Sequence, residues 1–543
     1  MNRAPTRRQL FESLAALTPI AAFPWDSLPD ASHAASGESY DAIIVGSGLG
    51  GLSAAAAFAR KGYRALVLEQ HDKPGGYATA FRHPGGFTFD VSLHSTVVGE
   101  RGGVRNLIGG FPEITDIEFV PHPYLYRAIF PDHDIRVPQR DIPAYIRLLA
   151  DSFPEESPGI EALIADMRAL HSEIIRFSRS AGKVDMRTFS QEFPTLFRHS
   201  NHTWGQMVDA RLRDPKLKAI FSALWVYYGL PPSKLSCYYY ALPTIGYLDS
   251  GGFYPKGRSQ VISDALVKFI ENRGGKVLLN TRVERIVVEN GAATGVRCAG
   301  GHEFRARAVI SNASAPQTFE SLLEDSDAVR EYRARLANYS PSLSCFQIFL
   351  GLKRDLVGQL ALKDTEIFLE PGYDPDAGYE AMRRADVEHC GLAVMLYDNL
   401  YAGYSPKGKN TLNVLTLQGF HHWEQFERDY RAGRKGAYRA EKERMASVLI
   451  QRLESTLLPG LSKAIQVKEI GTPLTNLRYT GSTRGAIYGW DQTVSNSGNR
   501  RVGHATTVKN LYLAGAWSEP GHGYGAVLAS GPNCFAEIVR GWS

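Results

Sequence analysis

A glycine turn, one acid and a second glycine-rich loop are the residues of this chain whose spacing implies chemistry. Gly46, Gly48 and Gly51 form G-x-G-x-x-G between the apolar run Tyr40–Val45 and an Ala-rich stretch at 52–61. Gly46 permits a tight turn and Gly48 lets backbone approach a pyrophosphate. Gly51 lets a helix pack closely on a strand, with the helix N-terminus facing the negative charge. Glu69 ends a second apolar run, 64–68, where it can accept hydrogen bonds from both hydroxyls of an adenosine ribose. Strand, loop, helix, strand and acid together specify a dinucleotide site, for which NAD and FAD both qualify.

Residues further along the chain separate the two cofactors. The pair Gly75-Gly76 comes soon after the acid, and residues 510–516 read as a short buried strand ending at Gly515 and Ala516. The glycine-rich loop 521–525 then leads into the apolar segment 526–539. The glycine pair resembles the G-G segment of FAD-dependent oxidoreductases, in which such a late strand and helix start lie at the flavin end, and this resemblance favours FAD. No second strand, G-x-G-x-x-G, helix unit is found, so a built-in NAD(P) domain is not expected and the electron donor or acceptor is external.

Other chemistries find little support. The fifteen histidines include no H-E-x-x-H, and no G-x-S-x-G elbow follows a strand. Cys237, Cys298, Cys345, Cys390 and Cys534 show no C-x-x-C spacing, which disfavours a zinc knuckle or a dithiol centre. A net charge of +5 without a basic block argues against nucleic acid.

Such a site needs a large scaffold to position it. At 543 residues with 44% hydrophobic and 22% charged, the chain can bury a large core. The expected fold is α/β, a Rossmann-like FAD-binding domain (40–115, 250–315 and 470–543) interleaved with a mixed α+β substrate domain (116–249 and 316–469). Residues 161–178 and 437–457 carry apolar residues at helical spacing and read as amphipathic helices packed on the core. The strings Tyr238-Tyr239-Tyr240 and His421-His422-Trp423 are candidates for a tunnel lining or for simple packing. Segment 1–36, with Arg7 and Arg8 before an interrupted apolar stretch at 14–25, resembles a twin-arginine signal and implies export of a folded protein; a disordered N-terminus on a cytoplasmic protein is the alternative. No run reaches the roughly 18 apolar residues of a membrane span. Peripheral membrane contact is compatible with this reading.

Six blocks in order carry a family resemblance. They are the first glycines; Phe87-Thr88-Phe89-Asp90 with His94; Tyr228 to Pro232; Gly252 to Gly257; Val283 to Val288 with Ala308 to Ala313; and the closing segments 485–489 and 511–531. The chain is similar to the flavin family of phytoene desaturases, carotenoid isomerases and retinol saturases. The resemblance implies non-covalent FAD, adenine contact through the backbone of Val283, and hydride exchange with a carbon–carbon bond of an apolar polyene or long-chain lipid. Arg258 stands where the family often has glycine, and Ala516 where amine oxidases of related fold carry glutamate. Pro532 falls within the expected last helix, which leaves the start of that helix open. His94 reads as a catalytic or a structural histidine. Glu519, the one formal charge in the 515–525 loop, reads as a proton donor of raised pKa or as a solvent-facing residue. A flavin amine or alcohol oxidase, or a flavin-bearing lipid-binding protein without catalysis, are the alternatives.

Overall fold

The computed structural model describes residues 25–31, 39–97, 111, 116–179, 184, 185 and 187–542. The arginine pair and the small residues at 32–34 lie outside the described residues. Trp25 and Leu28, within the expected signal segment, are buried: Trp25 packs edge-on to Phe111 at 5.7 Å and lies under the Arg60 guanidinium at 4.4 Å.

Two seven-stranded sheets organise the chain. In the first, Lys276–Leu278, Ala65–Leu68, Tyr40–Val45, Glu303–Ser311 and Leu511–Leu513 lie side by side and parallel. Their apolar runs read as strands covered on both faces. Register aligns their carboxyl ends: Leu68 pairs with Leu278 and Val45, Val45 with Ser311, and Ser311 with Leu513. The strand Glu303–Ser311 is long enough to join two layers. Its first half pairs antiparallel with Ala292–Cys298, which in turn pairs with Val283–Glu289.

The first helix, Leu49–Arg60, starts inside the glycine motif, three residues ahead of the Ala-rich stretch read from sequence. It packs against the last helix, Tyr524–Arg540. That helix begins at Gly523 and continues through Pro532, well past its first turn. At the crossing, a Cβ on Gly531 would meet Ser53 Oγ at 2.2 Å, so only glycine fits.

The second sheet runs in the order Ile465–Gly471, Ser344–Leu352, Asn410–Gln418, Leu392–Met395, Glu366–Leu369, Tyr126–Ile129, Asp134–Val137. It is antiparallel except where Glu366–Leu369 meets Tyr126–Ile129. Its strand Ile465–Gly471 runs across the 469/470 division drawn from sequence. The helices Ser157–Arg179 and Cys237–Ser250 pack together beside it, and Gly436–Thr456 matches the second amphipathic pattern.

Candidate active site

The level carboxyl edge of the parallel sheet is where ligands bind in open α/β folds. Gly46, Glu69, Asn312 and Ala514-Gly515 each come directly after one of its strand ends. Gly46 turns the chain with φ +94°, and Ser47 reaches across to Glu69, whose Oε2 accepts from the Ser47 amide at 2.8 Å and its hydroxyl at 2.6 Å. The Gly75 amide donates to Ser47 O at 2.9 Å and brings Gly75-Gly76 beside Gly48. Leu49, Gly50 and Gly51 open the first helix, whose N-terminal amides form an anion site.

Asn312, given no role in the sequence reading, sits among these glycines. A Cβ would come within 2.6 Å of its Nδ2 at Gly48, and within 2.8 Å and 2.4 Å of its Oδ1 at Gly50 and Gly515. Gly51 has a different reason: a Cβ there would meet Gly46 O at 2.3 Å. The glycines therefore make room for one another's strands as well as for a ligand. Nothing in a single sequence marks Asn312 apart from its place after a buried strand.

One cavity of about 740 Å³ joins this edge to the second sheet and its helices. Gly46, Gly48, Glu69, Gly75, Gly76, Val283, Gly515 and Ala516 line it, as does the start of the last helix, Gly523 to Val527; Gly51 lies behind the loop. The glycine cradle, the carboxylate at a strand end and two helix N-termini suit a dinucleotide, and a cavity of this size falls within the range for cofactor sites. FAD fits. Glu69 would face the ribose, Val283 the adenine, and Gly515 with Gly523 to Gly525 the flavin end.

The cavity continues past that end between aromatic walls. Tyr238 and Tyr239 line it, with Tyr239 Oη donating to Pro520 O at 2.8 Å, whereas Tyr240 is buried and stacked on Trp204 at 4.1 Å. The string His421-His422-Trp423 does not line the cavity: His421 is exposed beside Glu424 and Trp423 is core. The helix Ser157–Arg179, read as ordinary packing, contributes His171, Ile174 and Ile175 to the lining.

His522, which the sequence reading passed over, stacks on Tyr488 at 4.3 Å and lines the cavity. Its Nδ1 accepts from Gln492 Nε2 at 2.7 Å and its Nε2–H donates to Tyr227 O at 3.1 Å. The orientation of Gln492 is set by buried Arg501, whose Nη1 donates to Gln492 Oε1 at 2.7 Å while Nε and Nη2 donate to Ser518 O and Ala516 O. Burial, aided by Arg501, pushes His522 down to about 3, so it is a neutral, fully bonded part of the wall.

The two expected acid–base residues part company. His94 lines the cavity, stacks on Tyr227 at 5.9 Å and is driven by burial down to about 4. Glu519 is not brought to the cavity. Its Oε1 lies 3.7 Å from His504 Nε2, its side chain is 24% exposed, and burial raises it to about 7 against the pull of Arg501. Glu519 thus combines the raised pKa expected of a donor with a position that faces no substrate space.

A parallel sheet with a glycine loop, an acid and a glycine-cradled cavity at its carboxyl edge defines a dinucleotide-binding protein. Residues 49–531 match the family model "Flavin containing amine oxidoreductase", and the chain belongs to that family. Its cofactor is FAD. Prolycopene isomerase 1 of an Oncidium hybrid cultivar is 28% identical over 515 residues, 92% of this chain and 84% of that protein. All-trans-retinol 13,14-reductase of Danio rerio is 28% identical over 513 residues, covering 88% and 82%. These relatives bear out the resemblance to carotenoid isomerases and retinol saturases. Among solved structures, an oxidoreductase from Methanosarcina mazei gives a TM-score of 0.58 at 17% identity, covering 92% of this chain and 100% of that one. Cyclohexylamine oxidase of Brevibacterium oxydans gives 0.57 at 15% identity, covering 93% and 99%; both share the fold.

Proposed function

We propose that the protein exchanges a hydride with a carbon–carbon bond of a long apolar polyene, in isomerisation, saturation or desaturation. The observation that carries this reading is the character of the cavity beyond Gly515. Its wall there is aromatic and aliphatic, from Tyr238, Tyr239, Leu242, Ile174 and Tyr488; of the histidines that join it, His94 and His522 are neutral and burial lowers His171 as well. Of the charged lining residues, Glu69 and Arg282 belong to the adenosine end, and Asp249, on the helix that supplies Tyr238 and Leu242, is exposed at the rim and lies 3.8 Å from Arg168. Deep in the aromatic wall an ammonium substrate would have to be desolvated with no carboxylate beside it, Asp249 standing at the exposed rim. When bound, FAD supplies the hydride exchange. The chain excludes water, aligns an extended substrate between the Tyr488–His522 stack and the Tyr238 wall, and holds the reacting carbons against the Gly515 strand end.

Anaerobic flavin spectra provide the test. Photoreduced holoprotein should be reoxidised by all-trans-retinol, or should isomerise prolycopene without net redox change, and oxidised holoprotein should be indifferent to putrescine and cyclohexylamine. Reduction by an amine with no response to either polyene overturns the reading. Electrons for net redox come from an external partner. Export is tested by changing Arg7 and Arg8 to Lys, which should keep flavin-loaded protein in the cytoplasm.

A further inference from the structure

Reaction at a carbon–carbon bond moves a hydride at one carbon and a proton at the other, and the cavity needs a place for that proton. His522 has both nitrogens occupied, and Glu519 lies outside. The Tyr227 hydroxyl is committed to Glu366. His94 differs, because its Nδ1 is sealed inside the protein with no partner while the residue lines the main cavity.

Behind His94 lies a second, smaller chamber of about 20 Å³, bounded by His94, Tyr227, Tyr488, Thr416, Gly391 and Glu370. This is room for one water. Glu370 comes just after the strand Glu366–Leu369, and its carboxyl backs onto Gly391, where a Cβ would come within 2.8 Å of Oε2. Among the described residues no donor reaches that carboxyl. Arg452, the nearest cation in its field, spends its N–H groups on Val387 O at 2.6 Å and Cys390 O at 2.7 Å.

Resting on the polyene reading above, we propose that Glu370, one water in the small chamber and His94 form the proton relay of the main cavity. The Glu370 carboxyl gives its proton to the water and the water gives one to an imidazole nitrogen. The other imidazole nitrogen releases its proton to the substrate carbon. One proton moves from Glu370 to carbon, and the imidazole stays neutral with its tautomer exchanged. In saturation, bound reduced flavin would supply the hydride at the neighbouring carbon and be recharged by an external two-electron donor, and solvent returns a proton to the Glu370 carboxylate before the next turnover. Burial holds Glu370 protonated up to about 8 and His94 unprotonated down to about 4, the states the relay starts from. His122, also pushed by burial to about 4, and Tyr227, whose hydroxyl burial raises well above its usual range, are the other titratable groups beside His94, and both are neutral.

Infrared spectra of the holoprotein without substrate test the relay directly. A protonated-carboxyl C=O band that shifts in D₂O should vanish in Glu370→Gln and move in His94→Phe, because the two residues share the water. With reduced holoprotein and all-trans-retinol, both variants should slow deuterium transfer from solvent to carbon by about 10²-fold or more. If no protonated-carboxyl band is lost in Glu370→Gln, or the one lost there is unmoved in His94→Phe, the relay is overturned. Wild-type indifference to both polyenes would instead sink the proposed function, and the infrared result stands apart from it.

Discussion

Space around single residues sets the first expectations. Gly48 has an ordinary backbone conformation, so the cost of a side chain there is steric: its Cβ meets Asn312, itself wedged by Gly50 and Gly515. Gly48→Val should purify without flavin absorbance, and Gly48→Ala should bind FAD at least tenfold more weakly. Adding Asn312→Ala to Gly48→Ala should restore affinity; a fully yellow Gly48→Val would refute this placement. Arg258 occupies the left-handed region at φ +76°, which costs a non-glycine residue roughly 1–2 kcal/mol. It is held there by a bond to Gly403 O and by the Tyr404 ring, 4.4 Å from its guanidinium. Arg258→Gly trades those contacts for relief of strain and should stay within about 1 kcal/mol of the native protein, whereas Arg258→Ala keeps the strain and should lose about 1–2 kcal/mol in urea denaturation. The glycines and Glu69 were legible because each meets a demand of local backbone or strand-end position. Asn312 and His522 were not, since their roles arise from tertiary partners, Gly48 and Gly515 for the first, Tyr488, Gln492 and Tyr227 for the second.

At the scale of elements, the crossing of the first and last helices positions both helix N-termini at the cavity. Gly531→Ala would drive a methyl into Ser53 and the Ala54 amide, at 2.2 and 2.3 Å, and force the helices apart. The expected loss is about 1–3 kcal/mol, read as a lower thermal midpoint. FAD affinity should fall with it, because Gly523 to Gly525 would be displaced. A variant equally stable with unchanged affinity would show that the crossing does not set the cavity. Tyr40–Val45, Ala65–Leu68 and Leu511–Leu513 could be read from sequence because each is a short apolar run, mostly buried, with a functional residue at its end, whereas Lys276–Leu278, with no buried residue, could not. Nor could the second sheet. Its pairing joins 126–137 to 344–471, and antiparallel strands buried throughout, such as Ser344–Leu352, carry no alternation to reveal their faces.

Over the whole molecule, buried titratable groups oppose each other in pH dependence. His94, His122 and His522 stay neutral in the fold down to about 4, 4 and 3, while the unfolded chain takes up protons below about 6.5, so they cost stability as pH falls through that range. Glu366 and Glu370 stay protonated up to about 8, and Asp491 and Glu519 up to about 7, while unfolded carboxyls ionise near 4.5. Their stabilising contribution is complete in acid and is lost as pH rises through the folded values. Between about pH 6.5 and 8 only the carboxyls act, and urea midpoints should decline. Glu366→Gln, which keeps an acceptor for Tyr227, should flatten that decline; an unchanged slope would mean that Glu366 is ionised in the fold. The interleaving of the two sheets has one more consequence, in the timing of synthesis. The helix Leu49–Arg60 leaves the ribosome early, yet the strand and helix that cover it follow only after the whole second sheet. At about 5–20 residues per second, the apolar flank of the glycine loop waits on the order of half a minute to a minute and a half for its cover. Throughout that interval the flavin end of the cavity lacks its glycine strand end and its helix start, so cofactor capture waits on them.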